Sequence, residues 1–84
     1  MNNYELECIF DSKKSFYGKA NIREEEGKKI LISYSTEVCF IENDIPFIKG
    51  FYSNTTLRHI KEFLSQNGFK AISKKQMEKD YKNE

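Results

Sequence analysis

Thr55, Thr56, Arg58 and His59 fall in the first turns of a stretch that reads as a helix, where unpaired amides and the positive end of the helix dipole favour an anion. With Arg58 as a forked donor, the four residues form a candidate grip for a phosphate or carboxylate. The plainer reading of the same residues is local: the threonines cap the helix, His59 packs near Phe63 four residues on, and Arg58 pairs with Glu62. A longer basic stretch overlaps the first set. Arg58, His59, Lys61, Lys70, Lys74 and Lys75 are interrupted by Glu62, with Tyr52, Phe63 and Phe69 interleaved. Lysine and arginine neutralising phosphates and an exposed aromatic stacking on an unpaired base would make this a nucleic-acid contact. Against it, the spacing of Phe63 and Phe69 assigns them to a core, and lysines near the end of the chain would be solvated in any case.

Catalytic chemistry finds few parts. His59 is the one histidine, and with Cys8 or Cys39 it could form a nucleophile and base only if the thiol were accessible, whereas both cysteines fall on inward or covered strand positions. The cysteines lack the C-x-x-C spacing of redox or zinc sites and are expected to be reduced. Glu24, Glu25 and Glu26 read as a solvated turn, and no glycine-rich loop after a strand or nucleophile elbow is visible. The expectation is a non-enzymatic protein with no cofactor and no metal.

The element that must position the candidate residues runs from Tyr52 to Phe69. Ser53 is the N-cap, and Tyr52 and Leu57 have the spacing of a hydrophobic staple. Leu57, Ile60, Phe63 and Leu64 form an apolar stripe, while Arg58, Lys61, Glu62 and Ser65 are expected to point away from the core. Gly68 at C′ and Phe69 at C″ fit a Schellman stop, giving a helix over about 54–67.

Upstream, the period-two pattern of Tyr4, Leu6, Cys8 and Phe10 predicts a strand with those four side chains inward. A second strand alternates Phe16, Gly18, Ala20 and Ile22 on its inner face. Gly27 supplies a hairpin tip, and Ile30 to Ser35 returns. Thr36 to Ile41 is apolar on both faces, the pattern of a strand covered on both sides, and Leu31, Phe40 and Phe47 are expected to share a second apolar patch. Asn43-Asp44 marks a tight turn, and Pro46 makes the next strand an edge or a bulge. Ser73 with Gln76 fits a capping box, so a short, frayed helix over about 74–81 follows, anchored by Met77. The expected fold is α+β: one domain over residues 1–84, with strands over about 4–52 forming a small antiparallel sheet of four to five strands packed on the main helix. A small β-barrel with the helix as a lid is the rival.

The run from Gly50 to Phe69, with its Y-S-x-T-T-x-R-H-I-x-E-F-L-x-x-N-G-F pattern, resembles a family of small uncharacterised proteins of phages and prophages of Gram-positive bacteria. Tyr52, Ser53, Thr55, Thr56, Arg58, His59, Ile60, Phe63, Leu64, Asn67, Gly68 and Phe69 carry the likeness. The segment from Ser33 to Thr36 through Ile41 to Asn43 is similar to that family's hairpin, with Asn43-Asp44 where Asn-Gly is expected. The resemblance implies a mobile-element origin and no known activity.

Eighty-four residues allow one small core, and a formal net charge of +1 neither demands a polyanion partner nor resembles an acidic DNA mimic. The chain opens without a basic start followed by an apolar run, and no window approaches a membrane span, so a cytoplasmic protein away from membranes is expected. By elimination the expected function is docking on a host protein or nucleoprotein complex, as an inhibitor of host defence of the anti-CRISPR or anti-restriction type, or of another host enzyme. Tyr17, Tyr34, Phe40 and Phe47 are the candidate anchors, with Arg58 beside them. Nucleic-acid binding through Arg58 to Lys75 is the alternative, and homodimerisation through an edge strand or the apolar patch is a third reading.

Overall fold

Apolar alternation and six left-handed turn residues, Tyr17, Gly18, Gly27, Tyr34, Asn43 and Asp44, shape the sheet. The computed structural model describes residues 2–82. Its strands are β1 (Asn2–Glu5), β2 (Ala20–Glu25), β3 (Lys28–Ser33), β4 (Thr36–Glu42) and β5 (Ile45–Ile48), followed by the helices α1 (Asn54–Gln66) and α2 (Lys74–Tyr81). The strands form one antiparallel meander in the order β1-β2-β3-β4-β5, with β1 and β5 as edges. The architecture is therefore α+β with an open sheet, and the barrel alternative is excluded. Among the described residues, no helix is long and apolar enough to cross a membrane.

Ala20, Ile22, Leu31, Cys39, Ile41 and Ile48 face the helices and meet Ile60, Phe63 and Leu64 of α1 and Met77 of α2 in a single core. Leu31 belongs to this core and not to a second patch with Phe40 and Phe47, because its register partners are Ile22 and Cys39. The opposite face has no helix on it. There Arg23, Ile30, Phe40 and Phe47 lie across one row of the ladder, and the Phe40 and Phe47 rings stack with centroids 5.1 Å apart. Apolar residues on both sides of β4 do not reflect cover on both faces. A bulge opposite Leu31/Ile32 lets the consecutive Val38 and Cys39 both reach the core.

Two strand readings are corrected. β1 ends at Glu5; Leu6 is buried and its amide bonds the Ala20 carbonyl, but the chain then leaves the sheet, and Phe10 is 66% exposed instead of inward. Phe16 to Lys19 is a turn and not a strand: Tyr17 and Gly18 both have positive φ, and the Lys19 amide closes on the Phe16 carbonyl at 3.0 Å. Period two alone could not detect a turn that keeps Phe16 and Ala20 buried on either side of it. At the β4–β5 connection Asn43 and Asp44 have φ of 55° and 61°, the geometry of a two-residue type I′ hairpin, so Asp takes the place of Gly without changing the turn class.

Helix α1 has the expected ends. The Ser53 hydroxyl accepts from the Thr56 amide, and at the far end Phe69 and Gly68 donate to the Leu64 and Ser65 carbonyls, both bonds of a Schellman motif. The Tyr52–Leu57 staple does not form. Tyr52 takes a left-handed backbone with φ 55°, and its ring folds back against Gly50, leaving it largely exposed. In α2, Ser73 caps the Gln76 amide, while the Gln76 side chain accepts from the Ile72 amide, one residue before the expected partner. Met77 is fully buried, Tyr81 packs edge-on to Phe69, and Lys82 bridges to Ile48 of the β5 edge. Because one side chain supplies most of the burial of α2, Met77→Ala is expected to cost about 2–4 kcal/mol in urea unfolding. It should also open the chain near Lys74 and Lys75 to trypsin; an unchanged midpoint would contradict this anchoring role.

Candidate interaction surface

The polar residues that the sequence nominates for chemistry are divided by the fold into an interior set and a surface set. Glu62, expected to point outward, is only 2% exposed. Its carboxylate accepts from the Ile9, Phe10 and Asp11 amides at 2.7 to 3.1 Å and from the Gln66 amide group at 2.6 Å. Three successive backbone N–H groups converging on one anion form a nest, which compensates for removing the carboxyl group from water. Gln66 also donates to the Glu7 carbonyl, and Arg58 pairs with Asp11 at 3.4 Å and not with Glu62. The β1–β2 loop is thus latched along α1. This leaves Ile9 and Phe10 facing solvent. A glutamate on a helix next to a polar break carries no pattern by which such a capture could be read from sequence.

His59 and Thr56 also leave the proposed anion grip. His59 is 1% exposed, with Nδ1 2.9 Å from the Ser33 hydroxyl, which lies 2.9 Å from the Thr56 hydroxyl; Ser53 donates to Thr56 at 3.3 Å. The imidazole packs edge-on to Phe16, centroids 4.5 Å apart, and lies 6.0 Å from the Tyr34 ring instead of meeting Phe63. The chain Ser53–Thr56–Ser33–His59 joins the helix start to the end of β3. Burial holds the His59 pKa below its ordinary 6.5. Of the remaining residues of the grip and the basic stretch, Thr55, Lys70, Lys74 and Lys75 are exposed, and Arg58 and Lys61 are half-buried. Lys74 sits over the Phe51 ring at 5.6 Å. The basic stretch is therefore interrupted by the burial of His59 and the engagement of Arg58. Cys8 and Cys39 are both free thiols, Cys39 buried in the sheet with its pKa pushed up to about 12 by burial, and Cys8 half-buried and also shifted upward chiefly by burial.

The four aromatic anchors separate into two places. Phe40 and Phe47 stack on the helix-free face, where Lys28 lies over Phe40 at 4.4 Å and Glu37 is paired with both Arg23 and Lys49. Tyr17 and Tyr34 are neighbours at one end of the sheet, joined by the Tyr34-to-Lys19 chain where the Tyr34 amide bonds the Lys19 carbonyl. β2 starts at that end, β3 ends there, β4 starts there and β5 ends there, so Tyr52 before α1 belongs to the same end. Tyr17, Tyr34 and Tyr52 are 74%, 51% and 67% exposed and have φ of 54°, 60° and 55°. Their grouping is invisible to hydrophobic periodicity, because each sits in a connection.

Residues 4–79 match the family described as a family of unknown function (DUF8033). The chain belongs to that family. No curated protein and no solved structure matches it. The match to DUF8033 covers the second half of β1, the other four strands, α1 and most of α2, and with them the latch, the His59 network and all three tyrosine turns.

Two outcomes follow for these interior contacts. Glu62→Gln sets an amide N–H₂ against backbone donors and is expected to cost roughly 1–3 kcal/mol in urea unfolding, whereas Arg58→Ala, which removes one 3.4 Å pair made by a half-buried arginine and leaves Asp11 its bond from the Lys13 amide, should cost under about 1 kcal/mol. Equal effects would mean that the loop is held by the Arg58–Asp11 pair. Since the folded-state pKa of His59 is depressed, the unfolded chain binds the proton first as pH falls through about 6.5, so stability present above that value declines below it. Urea midpoints of wild type should therefore fall between pH 7.5 and 5.5 more than those of His59→Gln.

Proposed function

We propose that this protein is a non-catalytic accessory protein of phage or prophage origin that acts in the host cytoplasm by docking on a host macromolecule, as an inhibitor of a defence system or of another host enzyme. The observation that carries the docking part is the set of three exposed tyrosines held on left-handed backbone. A bulky L-residue in that conformation costs roughly 1–2 kcal/mol, and side chains left largely in solvent regain little of it by burial. Asn43, Asp44 and Gly27 occupy the left-handed positions at the other end of the sheet, the residue types that tolerate the conformation at low cost. Tyrosine at three positions where Gly or Asn would serve the turn supports a role for the rings outside the fold. Strain of this kind accompanies ligand clamps, and tyrosine is among the commonest anchors of protein interfaces.

The engagement of Glu62, His59, Ser33 and Thr56 by partners inside the molecule favours docking over catalysis as the working role. The phage or prophage origin rests on the resemblance of the Gly50-to-Phe69 stretch, and the inhibitory effect is reached by elimination, as the action open to a small non-catalytic protein that docks.

The test is recovery of the full chain from host lysate beside the double variant Tyr17→Gly/Tyr34→Gly, with low-salt and high-salt washes and one nuclease-treated sample. Glycine relieves the left-handed strain, so the variant should unfold at the same or a higher temperature than wild type. It should nonetheless recover at least about tenfold less of a partner that survives salt and nuclease, the loss expected for two anchors. Undiminished recovery by the variant would exclude the tyrosines as anchors. A partner that is nucleic acid and leaves at high salt would replace docking on a protein with phosphate binding.

A further inference from the structure

The chemistry of the partner can be inferred from how charge is distributed along the strands, an inference that rests on the docking reading. The end of the sheet that bears the tyrosines also carries Lys13, Lys14 and Lys19, the first two in the latched loop leading to Phe16 and the third next to Gly18. Of the carboxylates near that end, Asp11 and Glu37 are paired with cations, while Glu5 is held by a backbone amide and keeps its charge. Glu5 accepts from the Gly18 amide, Asp11 accepts from the Lys13 amide and pairs with Arg58, and Glu37 pairs with Arg23 and Lys49. Among the described residues, Lys13, Lys14 and Lys19 have no carboxylate partner. At the opposite end, the hairpin tips bring Glu24, Glu25 and Asp44 around one open depression with Lys28 and Lys29, and Glu26 and Glu42 stand next to it. A net charge of +1 therefore conceals a molecule that is basic at one end and acidic at the other.

The turns of the basic end have a particular composition: Ser15, Tyr17 and Gly18 in the first, Tyr34 and Ser35 in the second, Gly50, Tyr52, Ser53 and Asn54 in the third. Tyrosine with serine, glycine and asparagine is the mixture that recognition loops use, the phenol giving large contact area at small entropic cost and the small polar residues giving adaptable hydrogen bonds. The Tyr34 ring is poorly placed for stacking on a base, because Lys19 Nζ lies 5.7 Å from its centroid and the His59 ring is 6.0 Å away, while the Tyr52 ring approaches Gly50 through its hydroxyl edge. Three lysines without a continuous aromatic platform also make a poor track for a single strand.

We propose that the end formed by Tyr17, Tyr34, Tyr52, Lys13, Lys14 and Lys19 docks on an acidic patch of a folded protein. The tyrosines supply the anchoring contacts. The lysines meet carboxylates at the rim and accelerate encounter.

A photo-reactive side chain tests this in living host cells: the full chain carries p-benzoylphenylalanine in place of Tyr17, of Phe47 on the helix-free sheet face, or of Glu26 at the acidic end, and the cross-linked peptides are identified. The expected result is a protein cross-link from position 17, to a peptide in an Asp/Glu-rich surface, and none from position 26. Its yield should fall roughly tenfold in the Lys13→Glu/Lys14→Glu background, as for a steered encounter. The same charge change on α2, Lys75→Glu/Lys79→Glu, should leave the yield unaltered. Both backgrounds change exposed lysines, and their urea midpoints check that the fold is kept. A nuclease-sensitive product, a cross-link to a second copy of this chain, or a yield indifferent to charge reversal would overturn the proposal. A protein cross-link from position 47 without one from 17 would overturn it and leave the docking reading standing on the other face. No cross-link from any position would overturn both.

Discussion

A single carboxylate closes this fold. With an edge strand of only four residues at the amino-terminal side and fourteen residues between β1 and β2 outside the sheet, the chain needs something to hold that connection, and Glu62 does so through the Ile9, Phe10 and Asp11 amides. The bond set works in both directions. It satisfies an acidic group that α1 has placed under the loop, and it satisfies three backbone donors that no strand partner reaches. Once the loop is fixed at residues 9–11, Phe16 is delivered against His59, and the Tyr17-Gly18 turn is set beside Tyr34. The geometry of the tyrosine end is thus a consequence of a contact made well along the helix from it.

The second constraint is the polar chain beneath the tyrosines. Ser53, Thr56, Ser33 and His59 tie the first turn of α1 to the last residue of β3 in a region that an all-apolar core would leave free to slide. Buried hydroxyls and an imidazole are tolerable because each finds a partner, and no buried side-chain polar atom among the described residues lacks one. Such bonds add modestly to net stability but specify one arrangement. A helix start fixed in position and angle gives Tyr34 and Tyr52 fixed starting points.

The elements with local causes were legible in the sequence. Caps, apolar stripe and Schellman stop are each written within a few residues of Tyr52 to Phe69, and Ser73, Gln76 and Met77 likewise mark α2. What eluded periodicity has non-local or backbone causes. Phe10 satisfies the alternation of a strand, yet its amide goes to Glu62, fifty-two residues away, and its ring goes to solvent. Phe16 to Lys19 alternates as a strand would, but the pair of positive φ values at Tyr17 and Gly18 turns the chain. Leu31 lies on the face opposite Phe40, against the simple alternation, because the extra residue at Val38 shifts the parity of β4 relative to β3. Tyr17, Tyr34, Phe40 and Phe47 could be named from residue type alone. Their division between an end and a face, and the place of Tyr52 with the first two, depend on the order of the strands.

That division leaves the two sets of aromatic residues in different surroundings. The helix-free face keeps its aromatic pair under lysines, with Lys28 and Lys49 both over the Phe40 ring and the Arg23–Glu37–Lys49 pairs alongside. Cations over a ring face stabilise it in place and reduce the apolar area open to another sheet. At the tyrosine end the arrangement is reversed, since turns lift the rings outward and only Tyr34 has a lysine near its face. Aromatic residues are therefore covered where edge-to-edge or face-to-face association would be indiscriminate, and presented where strand order, the His59 network and the Glu62 latch together fix their geometry. The costly left-handed backbone positions of bulky residues therefore fall at the tyrosine turns, and not on the helix-free face that carries Phe40 and Phe47.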